Sequence, residues 1–131
     1  MALATTILNN PQAGRPTPIE CDYLVVNGQG NTSLGSCDEF CFRRSRGGTL
    51  RIPQGSITAI TIWSSPIPLT EGGVYAPLLD PNNSYAQATV TGISAGSAPQ
   101  DVPLPACVYG AGYLCFVTTG ANGTLTLTAK G

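Results

Sequence analysis

The sequence predicts an all-β protein, an antiparallel β-sandwich or jelly roll of about eight short strands, with a β-barrel as the alternative. Two observations support this fold class. Eleven prolines and sixteen glycines interrupt the chain, and no window repeats apolar residues with the period of a helix. Short segments rich in apolar and β-branched residues instead recur at spacings of about 8 to 12 residues, which is typical of such folds.

The first twenty residues differ in character from the rest of the 131-residue chain. They contain Pro11, Pro16 and Pro18 and show no apolar periodicity. We therefore predict an extended N-terminal arm over residues 1–20 and a β-sandwich domain over residues 21–131. Prolines reduce the entropy that an extended segment loses on docking, so Pro11, Arg15, Pro16 and Pro18 are predicted to contact a partner.

Most of the predicted strands lie between residues 21 and 105, and the strongest of them, residues 57–63, consists largely of β-branched residues. Pro77 predicts an edge position or a bulge for its segment, and the prolines of residues 101–105 exclude that segment from the centre of a sheet. In chain order, the predicted strand or extended segments are residues 21–26, 39–43, 48–52, 57–63, 74–79, 87–91 and 101–105.

The C-terminal segment predicts a β-hairpin, with strands over residues 113–119 and 124–129 and a turn at Gly120-Ala121-Asn122-Gly123. Strict alternation in the second strand predicts that Leu125, Leu127 and Ala129 face the core. Thr124, Thr126 and Thr128 are then expected to face outward.

The chain carries very little charge. Charged residues make up 10% of it, compared with roughly 25% in an ordinary soluble domain. Six basic and seven acidic residues cannot form the basic groove that nucleic acid requires. Because charge normally keeps a free monomer soluble, we expect other subunits to cover much of this surface, and we expect a homo-oligomer.

Catalytic and cofactor sites are not predicted. The chain contains no histidine, which is the commonest general base and metal ligand. Lys130 is the penultimate residue and is interpreted as a solvated charge rather than as a catalytic base. Asp80, Asn82 and Asn83 resemble calcium ligands, but the Asp-Pro-Asn-Asn sequence favours a turn stabilised by the aspartate side chain. No catalytic residue, cofactor or metal is therefore assigned.

The five cysteines are an odd number, so they cannot all pair within one chain. The spacing of Cys37 and Cys41 is not that of a zinc site. Cys115 lies in an apolar run and is predicted to be buried as a small hydrophobic residue, whereas a disulfide among Cys21, Cys37 and Cys107 stays open.

Targeting signals are not expected either. The N-terminus lacks the basic region of a signal peptide, and no apolar run approaches the ~18 residues of a membrane span. We therefore expect assembly in a cytoplasm and no membrane partner.

Two groups of side chains are candidates for binding. Arg43, Arg44 and Arg46 hold three of the six basic charges and form either a subunit contact or a solvated loop. Trp63 and Tyr75 are candidate glycan contacts, since aromatic rings on a β-sheet can stack against sugars. Packing in the core or at its rim is the alternative for Trp63.

Four segments carry a resemblance to a known class of proteins. They are residues 49–63 (TLRIPQGSITAITIW), residues 75–80 (YAPLLD), residues 113–117 (YLCFV) and the final Gly-Thr-Leu-Thr-Leu-Thr run. Together they resemble small β-sandwich proteins of tailed-phage virions, the capsid decoration and head- or tail-fibre class. The resemblance covers about residues 40–131 and is a pattern of strands and turns.

This resemblance implies a non-enzymatic virion structural protein. The expected role is that of a capsid decoration, or cement, protein that stabilises the head by bridging neighbouring capsid subunits. Its partners would be the major capsid protein or other virion subunits, and a trimer would follow from a position on capsid three-fold axes. The alternative is a glycan- or receptor-binding module of a phage fibre or adhesin.

Overall fold

Strands account for nearly all regular structure in the part of the chain that the structure describes. The structure is a computed structural model, and it describes residues 7–8, 16–21, 24–26, 32–34, 39–43, 45–109, 111–121 and 123–130. Helical structure within these ranges is limited to three single-turn 3-10 helices, at Leu69–Glu71, Pro81–Asn83 and Ala106–Val108. None of the described helices is long or apolar enough to cross a membrane. The predicted all-β class is confirmed.

The strands are short, and most of them contain two to seven residues. In chain order they are β1 (Ile7–Leu8), β2 (Pro16–Cys21), β3 (Leu24–Val26), β4 (Thr32–Leu34), β5 (Glu39–Cys41), β6 (Gly47–Ile52), β7 (Ala59–Ser65), β8 (Ala76–Pro77), β9 (Leu79–Asp80), β10 (Ala86–Gln87), β11 (Thr89–Val90), β12 (Gln100–Pro103), β13 (Tyr113–Thr119) and β14 (Gly123–Lys130).

Two large sheets contain most of these strands. The six-stranded sheet has the order β1-β5-β13-β7-β11, with β8 also paired to β7. The four-stranded sheet has the order β12-β6-β14-β2. Small two-stranded sheets join β3 to β4 and β9 to β10. All the pairs are antiparallel except that of β1 with β5.

Both large sheets contribute side chains to one hydrophobic core. Alternate residues of β12 and β14 are buried, as expected for strands with one apolar face, whereas consecutive residues are buried in β5 and β13. The six-stranded sheet contributes Phe40, Ile60, Ile62, Leu114 and Phe116, and the four-stranded sheet contributes Leu50, Ile52, Val102, Leu125, Leu127 and Ala129. The predicted inward positions of β14 are confirmed, and Thr124, Thr126 and Thr128 alternate with them on the more accessible face.

The predicted C-terminal hairpin is wrong. β13 pairs with β5 and β7, whereas β14 pairs with β2 and β6, so the two strands lie in different sheets. The chain therefore crosses from one sheet to the other between Thr119 and Gly123. The alternation of apolar and polar residues within a strand identifies its apolar face, but it does not indicate which strand lies beside it in the sheet. Here β13 and β14 both pair with strands that are distant in the sequence.

The outer face of the six-stranded sheet is covered by the loop between β7 and β8. Cys41 lies opposite Tyr113, and Trp63 lies opposite Cys115, on the face that alternates with the core positions. Tyr75, from the end of that loop, is fully buried, and so is Cys115, as predicted from the sequence. This loop therefore forms a second packing layer on the sheet.

One carboxylate fastens the loop to the sheet. Glu39 Oε1 accepts a hydrogen bond from the Tyr75 hydroxyl at 2.6 Å and another from the Leu69 backbone N–H at 2.8 Å. Glu39 is only 2% exposed. Burial is the main cause that raises the pKa of the Tyr75 hydroxyl above its ordinary value, and the neighbouring Cys115 and Glu39 add to it, which favours the protonated hydroxyl that donates to Glu39.

Prolines lie on both edges of the four-stranded sheet. Directly after β12, the Leu104 N–H donates to Gly48 O at 2.9 Å. Because successive backbone nitrogens of a strand point in opposite directions, the nitrogen of Pro103 points away from β6. On the opposite edge, Pro16 and Pro18 occupy β2. Proline has no N–H, so such positions cannot donate to an added strand. The edge positions predicted for residues 101–105 and for Pro77 are confirmed, since β12 ends its sheet and β8 pairs with β7 alone.

The N-terminal region differs from the predicted extended arm, because part of it forms the strand β2. Pro16–Cys21 pairs along its whole length with β14, and Ile7–Leu8 pairs with β5. The predicted boundary after residue 20 therefore falls inside a strand of the four-stranded sheet. Pro16 and Pro18, predicted as partner contacts of an extended arm, are residues of that strand.

A buried hydroxyl on β13 provides a test of the packing. Thr118 Oγ1 has no hydrogen-bond partner among the described residues, and the residue is 8% exposed. Because an unsatisfied buried hydroxyl costs about 1–3 kcal/mol, Thr118→Val, which keeps the shape and β-branching, is expected to stabilise the fold by about 1 kcal/mol. Urea denaturation of the two proteins measures this difference. Thr119→Val, at the exposed neighbouring position, is the control and should change stability little.

Candidate functional site

The outer face of the four-stranded sheet carries a groove bordered by residues with polar side chains. Five side chains line it, from three adjacent strands: Thr49, Arg51, Asp101, Thr126 and Thr128. The register brings them together, since Arg51 lies opposite both Asp101 and Thr126, and Thr49 lies opposite Thr128. The volume is about 480 Å³. We call this site the polar groove.

A bidentate ion pair between Arg51 and Asp101 forms the centre of the polar groove. Arg51 Nε donates to Asp101 Oδ1 at 2.7 Å, and Arg51 Nη2 donates to Asp101 Oδ2 at 2.9 Å. Both side chains stay accessible, at 62% and 50% exposure. The hydrogen bonds from Arg51 lower the pKa of Asp101, and the same bonds raise the pKa of Arg51. Both groups are therefore ionised at neutral pH, and the net charge of the pair is zero. An exposed pair of this kind adds little to stability, and both of its groups are accessible to a ligand.

Exposed apolar side chains form a second feature, outside the two large sheets. Large hydrophobic residues are exposed at Ile67, Val74, Leu79, Tyr85 and Tyr109. We call these five residues the exposed apolar set. Tyr85 and Tyr109 are the most exposed of them, at 67% and 64%.

Tyr85 is held in an uncommon backbone conformation. Ser84 and Tyr85 have φ values of 55° and 58°, the left-handed region that residues other than glycine, asparagine and aspartate rarely occupy. The Tyr85 N–H donates to Asp80 O at 2.9 Å, and Ala86 pairs with Asp80 across β9 and β10. These contacts fix the turn, and its conformation leaves the aromatic ring in solvent.

The same turn confirms one prediction from the sequence. Asp80 Oδ1 accepts a hydrogen bond from the Asn82 backbone N–H at 2.9 Å, at the start of the 3-10 helix Pro81–Asn83. Asp80 therefore uses its carboxylate to cap the turn, as the Asp-Pro-Asn-Asn sequence predicts. Within the described residues, no three or more cysteine or carboxylate side chains cluster as metal ligands would.

The predicted arginine cluster is only partly described. Arg43 Nη2 donates to the Pro66 carbonyl at 2.7 Å, and the guanidinium lies 5.3 Å from the centre of the Tyr113 ring. Arg43 thus connects the end of β5 to the loop after β7. Arg46 is exposed. Arg44, together with Pro11 and Arg15 of the predicted arm contacts, lies outside the described residues.

The aromatic residues predicted as glycan contacts are not arranged as expected. Tyr75 is fully buried and donates its hydroxyl to Glu39, so its ring cannot meet a sugar, and this assignment is wrong. Trp63 is half-buried and packs against the core, in line with the alternative expected for it. Among the residues that the structure describes, the exposed aromatic rings are those of Tyr85 and Tyr109. The only signal for Tyr85 in the sequence is its position after a polar turn.

The described cysteines are shielded from solvent to different degrees, since Cys41 and Cys115 are buried and Cys107 is partly buried. Cys41 and Cys107 are free thiols, so the disulfide that the sequence left open for Cys107 is not formed. The side chains of Cys21 and Cys37 lie outside the described residues. Burial raises the pKa of Cys107, which keeps it in the weakly nucleophilic thiol form.

Comparison with known proteins leaves the chain without an assigned family. No family model matches the sequence, and neither the curated proteins nor the solved structures contain a significant match.

Proposed function

We propose that this chain is a non-enzymatic virion structural protein, a capsid decoration protein that stabilises the head by bridging neighbouring capsid subunits. Its partners are the major capsid protein or other virion subunits, and it acts as a homo-oligomer, a trimer where it occupies three-fold positions. Its site of action is the virion, after assembly in the host cytoplasm.

The exposed apolar set is the observation that carries this proposal. Five large hydrophobic side chains are open to solvent in a chain whose residues are only 10% charged. Aromatic residues such as Tyr85 and Tyr109 are typical anchors of protein interfaces. A surface that is poor in charge and carries fixed aromatic anchors is suited to permanent contact with other subunits.

The proposed body is an antiparallel β-sandwich in which the six-stranded and four-stranded sheets form the two layers. The support for two layers is the single core to which both sheets contribute alternate residues. The resemblance of residues 40–131 to virion β-sandwich proteins supports the same arrangement. The segment between β1 and β2, which contains Pro11 and Arg15, is proposed to contact a neighbouring subunit.

Binding to capsid shells tests the proposal through Tyr85. We expect the protein to co-sediment with shells assembled from the major capsid protein of the virus that encodes it. Tyr85→Asn is expected to weaken this binding at least tenfold, which corresponds to about 1.4 kcal/mol and is typical of an interface anchor. Asparagine tolerates the left-handed conformation, so the turn should be preserved.

Ser84→Asn is the matched control, because it places the same residue at the neighbouring left-handed position and retains the Tyr85 ring. It should bind shells like the original chain. Failure of the unaltered protein to co-sediment, or equal binding of Tyr85→Asn, would contradict the proposed role.

A further inference from the structure

We propose that the polar groove binds a neutral carbohydrate. This inference concerns residues outside the exposed apolar set and does not depend on the capsid role. It rests on the hydrogen-bonding capacity of the groove, on its charge, and on the edges of the sheet that bears it.

The hydrogen-bonding capacity of the groove matches a polyhydroxyl ligand. Asp101 accepts one bond from Arg51 at each carboxylate oxygen, and each of these oxygens has a further lone pair. Arg51 uses two of its five N–H donors in those bonds. Three threonine hydroxyls, from Thr49, Thr126 and Thr128, complete the lining and can both donate and accept. Neighbouring hydroxyls of a sugar likewise both donate and accept.

The charge of the groove selects against ionic ligands. An anion such as a phosphate would gain from Arg51 but would be repelled by Asp101, whose carboxylate is within hydrogen-bond distance of the same guanidinium. A cation would be attracted by Asp101 but repelled by Arg51. A neutral ligand can use both partners without separating them.

The shape of the groove and its sheet favours a small ligand over a peptide. Its volume of about 480 Å³ lies within the usual range of ligand sites, roughly 300–1,000 Å³. Recognition of an extended peptide by strand addition requires an accessible sheet edge, and this sheet carries Pro103 on one edge strand and Pro16 and Pro18 on the other. The methyl groups of the threonines and the methylenes of Arg51 offer apolar surface to the C–H face of a sugar ring.

A titration with defined sugars tests this site. The isotope-labelled full chain is titrated with glucose, galactose, mannose and N-acetylglucosamine, and amide shifts are followed by nuclear magnetic resonance. We expect saturable shifts, in the millimolar range, centred on Thr49, Arg51, Asp101 and Thr126 for at least one of these sugars. Asp101→Asn keeps the shape of the side chain but removes its charge, and it is expected to weaken that binding at least fivefold.

Glu71→Gln is the control, because it removes an exposed carboxylate that is not part of the groove lining. It should leave sugar affinity unchanged, and so should Tyr85→Asn. The inference is overturned if none of the four sugars binds saturably, if the shifts centre elsewhere, or if Glu71→Gln weakens binding as much as Asp101→Asn. None of these results depends on whether the protein binds capsid shells.

Discussion

Replacing Glu39 by leucine is expected to lower the free energy of unfolding by about 2–5 kcal/mol, because two hydrogen-bond donors lose their common acceptor. The Tyr75 hydroxyl is fully buried and cannot turn to water, and the neighbouring Cys115 thiol is only a weak hydrogen-bonding partner, so much of the desolvation cost remains. The Leu69 N–H is partly buried and incurs a smaller one. Denaturant unfolding monitored by fluorescence measures the change.

The conservative variant Glu39→Gln separates loss of the acceptor from loss of the charge. A glutamine carbonyl can still accept from Tyr75 and Leu69, so this change should cost clearly less than Glu39→Leu. The double variant Glu39→Leu with Tyr75→Phe removes both ends of the buried bond, and it is expected to recover part of the stability lost in Glu39→Leu. If Glu39→Leu were as stable as Glu39→Gln, the carboxylate would not fasten the loop between β7 and β8.

The sequence predicted the positions and inward faces of the strands more accurately than it predicted which strands pair with each other. The alternation of Leu125, Leu127 and Ala129 with threonines identified the inward face of β14 correctly, because side-chain direction depends only on position along a strand. The partners of β13 and β14 depend on contacts between distant residues, such as Phe116 with Ile62. A glycine-containing turn between two strands is compatible with a hairpin and equally with a crossing between sheets.

The candidate site was predicted less well than the fold, for a related reason. The groove joins Arg51 to Asp101, which are fifty residues apart, through the register of β6 with β12. Each residue alone is an ordinary surface charge. Tyr75 was misassigned because aromatic content predicts neither burial nor exposure, and a tyrosine can be buried wherever its hydroxyl finds an acceptor, here Glu39.

The second large loss of stability is expected from a substitution at Gly120, where the chain crosses from β13 to β14. Its φ of +94° lies in the left-handed region, which is costly for residues with a Cβ. A Cβ at this position would also overlap the Ser56 carbonyl oxygen and lie 3.1 Å from Thr58 Oγ1. That segment is fixed in turn, since the Thr58 N–H donates to Thr119 O at 2.8 Å. Conformation and packing therefore both require glycine where the chain changes sheets.

Gly120→Ala is accordingly expected to lower the free energy of unfolding by about 2–4 kcal/mol, of which about 1–2 kcal/mol is the backbone term and the rest is steric. Gly72→Ala isolates the backbone term, because Gly72 has a similar φ of +86° but no atom within 4 Å of the point that an alanine Cβ would occupy. Chemical denaturation of both variants should therefore place Gly120→Ala well below Gly72→Ala in stability. Equal losses would mean that residues 56–58 move aside freely, and the tight crossing between the sheets would then impose no packing requirement for glycine.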